Sequence, residues 1–359
     1  MAHQPCPALG LAHFGEGDVT DQDVGEAGTD ATAPRINLVH TPSKHYVGVQ
    51  QQILGAITRH LAPGEFSTTV GERAPDSLNF SLFIRLPADV VMSHGVADKN
   101  YFLRRDVDGE RISNRLAHLF VPGEWLKRRL LKRKDLEVGA DRIHVVGWPR
   151  LDILLATQQE MPEVPRSPDA RPKVLWAPTH DFARRGEENL SNSSYPELLE
   201  FVPMFEKHFD LAISLHPRNR KDKQPTQFSL LDCDYVISDF GTIVYEAWAL
   251  GKPVIFPHWL IGDRIKRHLG ESAEAFVFHK RLGLHADSPQ QVIDFVMGGA
   301  GIDKRTSAFL DNLLEPAYAV QSGARVAALL QTLSAPDAPR SASLPRLKAR
   351  TPRYRRPDA

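Results

Sequence analysis

Residues 234–259 read DYVISDFGTIVYEAWALGKPVIFPHW, and this stretch decides the fold class. Tyr235-Val236-Ile237 is the short apolar run of a buried strand. Ser238 to Thr242 is a polar turn, a short amphipathic helix follows, and Gly251-Lys252-Pro253 leads into a second buried strand, Val254-Ile255-Phe256. Strand, helix and strand at this spacing predict a βαβ unit with parallel strands. A turn of small and hydroxyl residues between a strand and a helix can hold phosphate. The unpaired N–H groups of the first helical turn point at the ligand, and the helix dipole favours negative charge there. Gly241 lets the backbone come close, Asp239 lies inside the turn, and Ser238 and Thr242 add hydroxyl donors. The same pattern also punctuates βαβ units that bind nothing, and the segment alone does not separate the two.

The alternation continues on both sides. Ile36 to Val39 predicts a first strand, with a helix from Val47 to His60 behind it. Asp89 to Met92, His118 to Val121 and Ile143 to Val146 predict further strands, with a helix from Glu124 to Arg133. A proline-rich stretch from Met161 to Pro172 reads as a linker. Beyond it, Val174 to Trp176 and Leu211 to Ser214 predict strands, while Asp287 to Met297 and Thr306 to Leu333 predict helices. The reading is α/β: two Rossmann-like, doubly wound domains, residues 35–160 and 173–333, facing each other across a cleft and joined by residues 161–172. Ligands of such sheets bind in the crevice at the carboxyl ends of the strands. Neither GxGxxG after a strand nor GxxxxGK[ST] occurs, which weighs against dehydrogenases and P-loop enzymes.

A chain of 359 residues, 42% apolar and 25% charged, suits two globular domains with appendages. No apolar run approaches the roughly 18–20 residues of a membrane span, and the first residues lack the pattern of a secretory signal. Two cysteines, Cys6 and Cys233, are too few for a disulfide scaffold, so a cytoplasmic location is expected. The net charge of zero hides an asymmetry. Residues 1–34 carry acidic side chains and no Lys or Arg, whereas residues 334–359 are strongly basic; neither end has the apolar content to fold alone, and both are expected to be disordered. The basic tail suits an anionic membrane surface; no nucleic-acid partner is expected.

The chemistry-bearing residues sit where strands run out. Ser93-His94-Gly95 follows one strand, Gly147-Trp148-Pro149-Arg150 another, and Ala177-Pro178-Thr179-His180-Asp181 a third. His216-Pro217-Arg218 ends a fourth, and Ser238 to Thr242 a fifth. In a two-domain doubly wound protein these ends converge on one cleft. Arg150, Arg218 and the helix opening at Gly241 could neutralise a pyrophosphate without a metal. His94 and His216 titrate near neutral pH and suit proton transfer at an attacking hydroxyl or a phosphoryl oxygen. Thr179 joins the donor-side set, and Glu246, on the helix after the turn, could bind a ribose hydroxyl. No metal or organic cofactor is expected.

Taken together, these motifs resemble the CDP-glycerol:poly(glycerophosphate) glycerophosphotransferase family, the teichoic-acid primases and polymerases. Ser93-His94-Gly95 with Lys99-Asn100 is similar to that family's HG(T)xxK element, and Gly147 to Asp152 to its G-x-P-R-x-D. Ala177-Pro178-Thr179 with Asp181 resembles its APT segment, His216-Pro217 its HP pair, and Ser238 to Thr242 with Lys252-Pro253 its (T/S)DYSS…KP block. The resemblance runs from about residue 85 to 260 in order. It implies a GT-B fold, a CDP-activated alcohol donor, a polymer or lipid-linked hydroxyl acceptor, release of CMP, and a peripheral position at the inner membrane face. It further implies that His94 is the base on the acceptor side and that His216 and the Ser238–Thr242 turn hold the donor. Ser238-Asp239-x-Gly241 with Glu246-Ala247 and Gly251-Lys252-Pro253 also resembles UDP-N-acetylglucosamine 2-epimerases, which implies a UDP-sugar instead.

Overall fold

A computed structural model describes residues 35–162, 167, 169–179, 192–216, 226–315 and 320–336. The acidic end, the basic end beyond residue 336, two of the linker's four prolines (Pro165 and Pro168), His180, Asp181, Pro217 and Arg218 lie outside the described residues. The first half runs β1 (Ile36–His40), α1 (Val47–Thr58), β2 (Phe66–Val70), β3 (Leu78–Ser81), β4 (Val90–Met92), β5 (His118–Val121), α2 (Glu124–Leu131), β6 (Ile143–Val145) and α3 (Pro149–Glu160). The second continues with β7 (Lys173–Ala177), α4 (Val202–Phe205), β8 (Asp210–Ile213), α5 (Thr226–Asp232), β9 (Tyr235–Ser238), α6 (Thr242–Ala249), β10 (Val254–Pro257), α7 (His258–Leu269), α8 (Ala273–Lys280), β11 (Leu284–Ala286), α9 (Pro289–Met297), α10 (Lys304–Leu313) and α11 (Ser322–Ser334).

Two parallel sheets result. The first has six strands in the order β2-β1-β3-β4-β5-β6, the second five in the order β11-β10-β9-β7-β8. Both are doubly wound, as expected from the alternation. The strand order reverses between β1 and β3 in one sheet and between β7 and β9 in the other, the places where such sheets open a crevice. Strands buried on both faces explain the continuous apolar runs. Val90 and Met92 join an apolar core that extends through both halves, while Val91 between them packs into a separate cluster on the other face. In the second sheet Leu175 and Val236 face the shared core, and Val174, Trp176 and Ile237 the opposite cluster.

Three strands are not read from sequence: the three-residue β11 (LHA), centred on His285, and two that carry too little apolar signal. β2 (FSTTV) is a half-exposed edge, and β3 (LNFS) buries Asn79 and Ser81. The polar side chains in β3 are satisfied across the sheet: Asn37 Nδ2 donates to Asn79 Oδ1 (2.9 Å) and to Thr69 Oγ1 (2.9 Å), and Ser81 Oγ to the Val39 carbonyl (3.2 Å). A buried polar rung costs little when every partner is present. The helical run predicted from Thr306 to Leu333 is two helices, α10 and α11. Cys233 is a buried core residue, as its sequence context suggests. Among the described residues no helix is long and apolar enough to cross a membrane.

The last described helix, α11, returns to the first half and packs on α1 and α3. Its start is fixed by Ser322 Oγ, which accepts from Trp148 N (3.0 Å), and by Gly323 N, which donates to Asp152 Oδ2 (2.8 Å). Gly323 is there for closeness: a Cβ on it would lie 2.2 Å from the Ala56 carbonyl oxygen of α1. Gly323→Ala is therefore expected to destabilise the fold by about 1–3 kcal/mol in chemical denaturation, and an unchanged midpoint would show that α11 does not dock at this distance.

Candidate functional site

On the first side of the joint, β4 ends in Ser93-His94-Gly95. The His94 ring is stacked on Phe83 (centroids 4.8 Å) and flanked edge-on by Tyr46 (5.1 Å) and Tyr101 (5.7 Å). Burial, then the positive charges of Lys99 and Arg104, push its pKa down to about 4, against the Leu82 carbonyl, which raises it. His94 is thus neutral at pH 7, and its buried Nδ1 has no hydrogen-bond partner among the described residues. A neutral imidazole with a free nitrogen can accept a proton.

On the other side, β9 ends in Ser238-Asp239-Phe240-Gly241 and α6 begins at Thr242. Gly241 has φ +110°, a conformation that excludes most side chains, and no side chain caps α6. Ser238 is fully buried and donates to the Ala177 carbonyl (2.7 Å), so it shapes the turn from behind. Asp239 is equally buried and accepts from Thr179 N (2.8 Å), which ties the loop after β7 to the turn at the sheet's switch point. Burial pushes Asp239 up to about 6, against the hydrogen bonds from Ser194, the Thr179 amide and Ser193 that hold it down. Thr179, Ser238 and Asp239 are therefore brought together as a scaffold under Gly241 and Thr242.

The two sides touch. A Cβ on Gly95 would lie 2.6 Å from Thr242 Oγ1, and one on Gly241 would lie 3.3 Å from Lys99 Nζ. The Lys99 ammonium also sits 4.7 Å from the centroid of the Phe240 ring and donates no hydrogen bond among the described residues. Burial pulls its pKa down, Glu274 raises it and Arg104 lowers it further. A cation beside a glycine at an uncapped helix start is an anion site in the making. In sequence Lys99 is only one member of the Ser93–Asn100 motif, with nothing to mark its role. Its left-handed backbone (φ +42°), followed by Asn100 at +54°, aims it there and is not legible in one sequence.

What holds that loop is a reciprocal pair of carboxylates. Glu274, in the first turn of α8, accepts from Asp98 N (3.1 Å), Lys99 N (2.8 Å) and Tyr245 OH (3.0 Å). Asp98 in turn accepts from Ala273 N (3.0 Å), at the start of α8, and from Arg129 Nη1 (2.6 Å) of α2. Asn100 Nδ2 donates to the Leu269 carbonyl (3.1 Å) and accepts from Arg129 Nη2 (2.5 Å). Burial and the neighbouring Glu274 push Asp98 up, and Arg129 holds it down.

Arg150 and Glu246, assigned from sequence to phosphate and ribose, are brought against each other. Arg150 Nε lies 3.3 Å from Glu246 Oε1 in an ion pair without a hydrogen bond, and the same oxygen accepts from Trp148 Nε1 (3.3 Å). Glu246 is 1% exposed; burial raises its pKa, and Arg150 and Trp148 lower it. Asp152, the carboxylate nearest Arg150 in sequence, is taken by α11 instead. His216 is half-buried at the end of edge strand β8, next to β7. Arg218 lies outside the described residues.

Searches against protein-family models and curated proteins give no match. Among solved structures, the chain is similar to the wall teichoic acid polymerase TagF at 14% identity, over 85% of this chain and 90% of that one, with a TM-score of 0.56. A variant of the same polymerase soaked with CDPG matches at 13% identity, over 85% and 89%, with a TM-score of 0.53. A UDP-GlcNAc 2-epimerase from Methanocaldococcus jannaschii is more distant, at 14% identity over 82% and 99%, with a TM-score of 0.46. The fold is GT-B.

The Asp98–Arg129 pair (1% and 11% exposed) makes a test of the joint possible. Arg129→Met strands a buried carboxylate and is expected to cost about 3–5 kcal/mol. Adding Asp98→Asn recovers much of that loss, because the Ala273 amide keeps an acceptor. Simply additive losses in a double-mutant cycle would show that the pair is not coupled.

Proposed function

We propose that this chain transfers an alcohol phosphate, such as glycerol phosphate, from a CDP-activated donor to a hydroxyl on a polymer or lipid-linked acceptor. The observation that carries the reading is the contact of Gly95 with Thr242: it sets a neutral, aromatic-boxed imidazole one residue from an uncapped helix start with a cation beside it. That is the pairing of a base with an anion holder that hydroxyl attack on a diphosphate requires. The similarity to TagF, an enzyme of wall teichoic acid, supports the same direction at the level of fold.

In this reading the donor's diphosphate lies against Gly241, the first N–H groups of α6 and Lys99. The acceptor oxygen attacks the phosphorus bearing the alcohol, His94 takes the hydroxyl proton, and the P–O bond to CMP breaks. CMP departs with the electron pair, and Lys99 and the α6 dipole balance its charge. Thr242 adds a hydroxyl donor. Arg150, paired with Glu246, remains a donor-side candidate together with His216 and Arg218. The exposed cations of the run from Lys127 to Lys134, namely Arg128, Lys132 and Lys134, suit work at an anionic membrane surface, whereas Arg129 is taken by Asp98 and Asn100.

His94→Ala is expected to lower turnover by about 10²–10⁴-fold while leaving CDP affinity within about twofold. Wild-type turnover in that variant would remove the base from the mechanism. Because only neutral His94 accepts a proton and its pKa is depressed to about 4, kcat/KM stays flat as pH falls through 6.5 and drops only toward 4. An acid limb centred near 6.5 would contradict the assignment. Lys99→Met and Thr242→Ala each weaken CDP binding in calorimetry, Lys99→Met by about tenfold or more. A screen of CDP-glycerol, CDP-ribitol and UDP-N-acetylglucosamine decides the donor: preference for the UDP-sugar, with a C2 epimer formed and no acceptor needed, overturns the transfer reading.

A further inference from the structure

Away from the Gly95–Thr242 contact, a second concave site of about 410 Å³ lies where α2 meets α8 and α10. Its floor is aromatic. Trp125 of α2, Phe276 of α8 and Phe309 of α10 form one cluster, with Phe276 and Phe309 stacked at 5.4 Å and Trp125 edge-on to Phe309 at 6.0 Å. Its rim is cationic: Arg128, Lys280 and Arg305 come from the same three elements, all exposed, and no carboxylate lines the site among the described residues. Arg128 is held in place by Asn312 Oδ1 (2.9 Å) and Arg305 by the Lys280 carbonyl (2.9 Å). None of the three makes an ion pair among the described residues; Asp303, which caps α10, lies outside the lining, and Arg305 helps lower its pKa.

We infer that this is a binding site for a phosphate-headed lipid, its chain on the aromatic floor and its phosphate among the three cations. The volume falls within the range of small-molecule sites, and a mostly apolar lining with a few convergent polar groups is their usual composition. Three cations facing an aromatic depression without a partner charge are complementary to a ligand that is anionic at one end and apolar at the other. A free phosphate would leave the aromatic floor wet, and a neutral amphiphile would leave the rim unpaired. Because the site is built by α2 from one half and α8 and α10 from the other, an occupant fastens the halves together at a second point, alongside the Gly123 backbone, where a Cβ would meet the Leu313 carbonyl oxygen at 2.3 Å. The inference rests on this site alone and does not depend on the reaction proposed for the cleft.

The test is calorimetric titration of the full chain with dodecyl phosphate, below its micelle concentration, beside dodecyl maltoside and inorganic phosphate. Dodecyl phosphate is expected to bind saturably at one site, at least about tenfold more tightly than either control, and to raise the melting temperature. The exposed double charge reversal Lys280→Glu/Arg305→Glu is expected to keep the fold, by circular dichroism, and to weaken dodecyl phosphate by about tenfold or more. CDP binding stays unchanged in that variant, which separates this site from the cleft. Equal binding of dodecyl maltoside would reduce the site to an apolar patch. Equal binding of inorganic phosphate, or full affinity in the charge-reversed variant, would overturn it.

Discussion

The geometry of this molecule hangs on one reciprocal interaction, in which each half supplies the carboxylate that the other half's backbone needs. Glu274 takes the two amides of the Asp98-Lys99 step, and Asp98 takes the amide that opens α8. A helix start and a left-handed loop both present N–H groups that nothing local satisfies, and buried unpaired amides are costly. Here they are satisfied across the joint, so neither the loop nor the helix start is complete while the halves are apart. The arrangement concentrates negative charge, which burial alone would expel; Arg129 and the Tyr245 hydroxyl make it tolerable.

From that fixed point the rest of the site follows. Seating Asp98 and Asn100 on the α7–α8 corner leaves Lys99 between them pointing at Gly241, and brings Gly95 onto Thr242. Glycine is required at both places for different reasons: a Cβ on Gly95 would meet Thr242 Oγ1 at 2.6 Å, and Gly241 holds a φ of +110° that side chains rarely adopt. The same closeness makes the electrostatics coherent. His94 stays neutral because it is buried next to cations, and those cations leave the nearby turn suited to negative charge. One arrangement of charge therefore serves both ends of the proposed reaction.

Much of this was legible in the sequence. The βαβ unit at residues 234–259, the parallel doubly wound sheets and the clustering of polar residues at strand ends follow from short apolar runs and their spacing. β2 and β3 were not legible, because an exposed edge and a polar rung both lack the apolar signature of a strand. The helices at residues 258–269 and 273–280 went unread for the same reason that the joint did: their meaning lies in what packs against them. Arg150 shows the limit most clearly. Its nearest carboxylate in sequence, Asp152, serves α11, whereas its partner Glu246 is reached only through the fold. Ser238 makes the converse point, since a hydroxyl in a phosphate-like turn can face inward and hold the turn's shape.

In the proposed reaction a nucleoside diphosphate is gripped between Lys99 and the start of α6, at the place where the two halves meet. A crystal structure of the chain with CDP tests it most directly. The diphosphate is expected within hydrogen-bonding distance of Lys99 Nζ and of the backbone N–H groups that open α6 after Gly241, with His94 facing the outer phosphate. An ordered CDP whose phosphates contact neither Lys99 nor that helix start would contradict it.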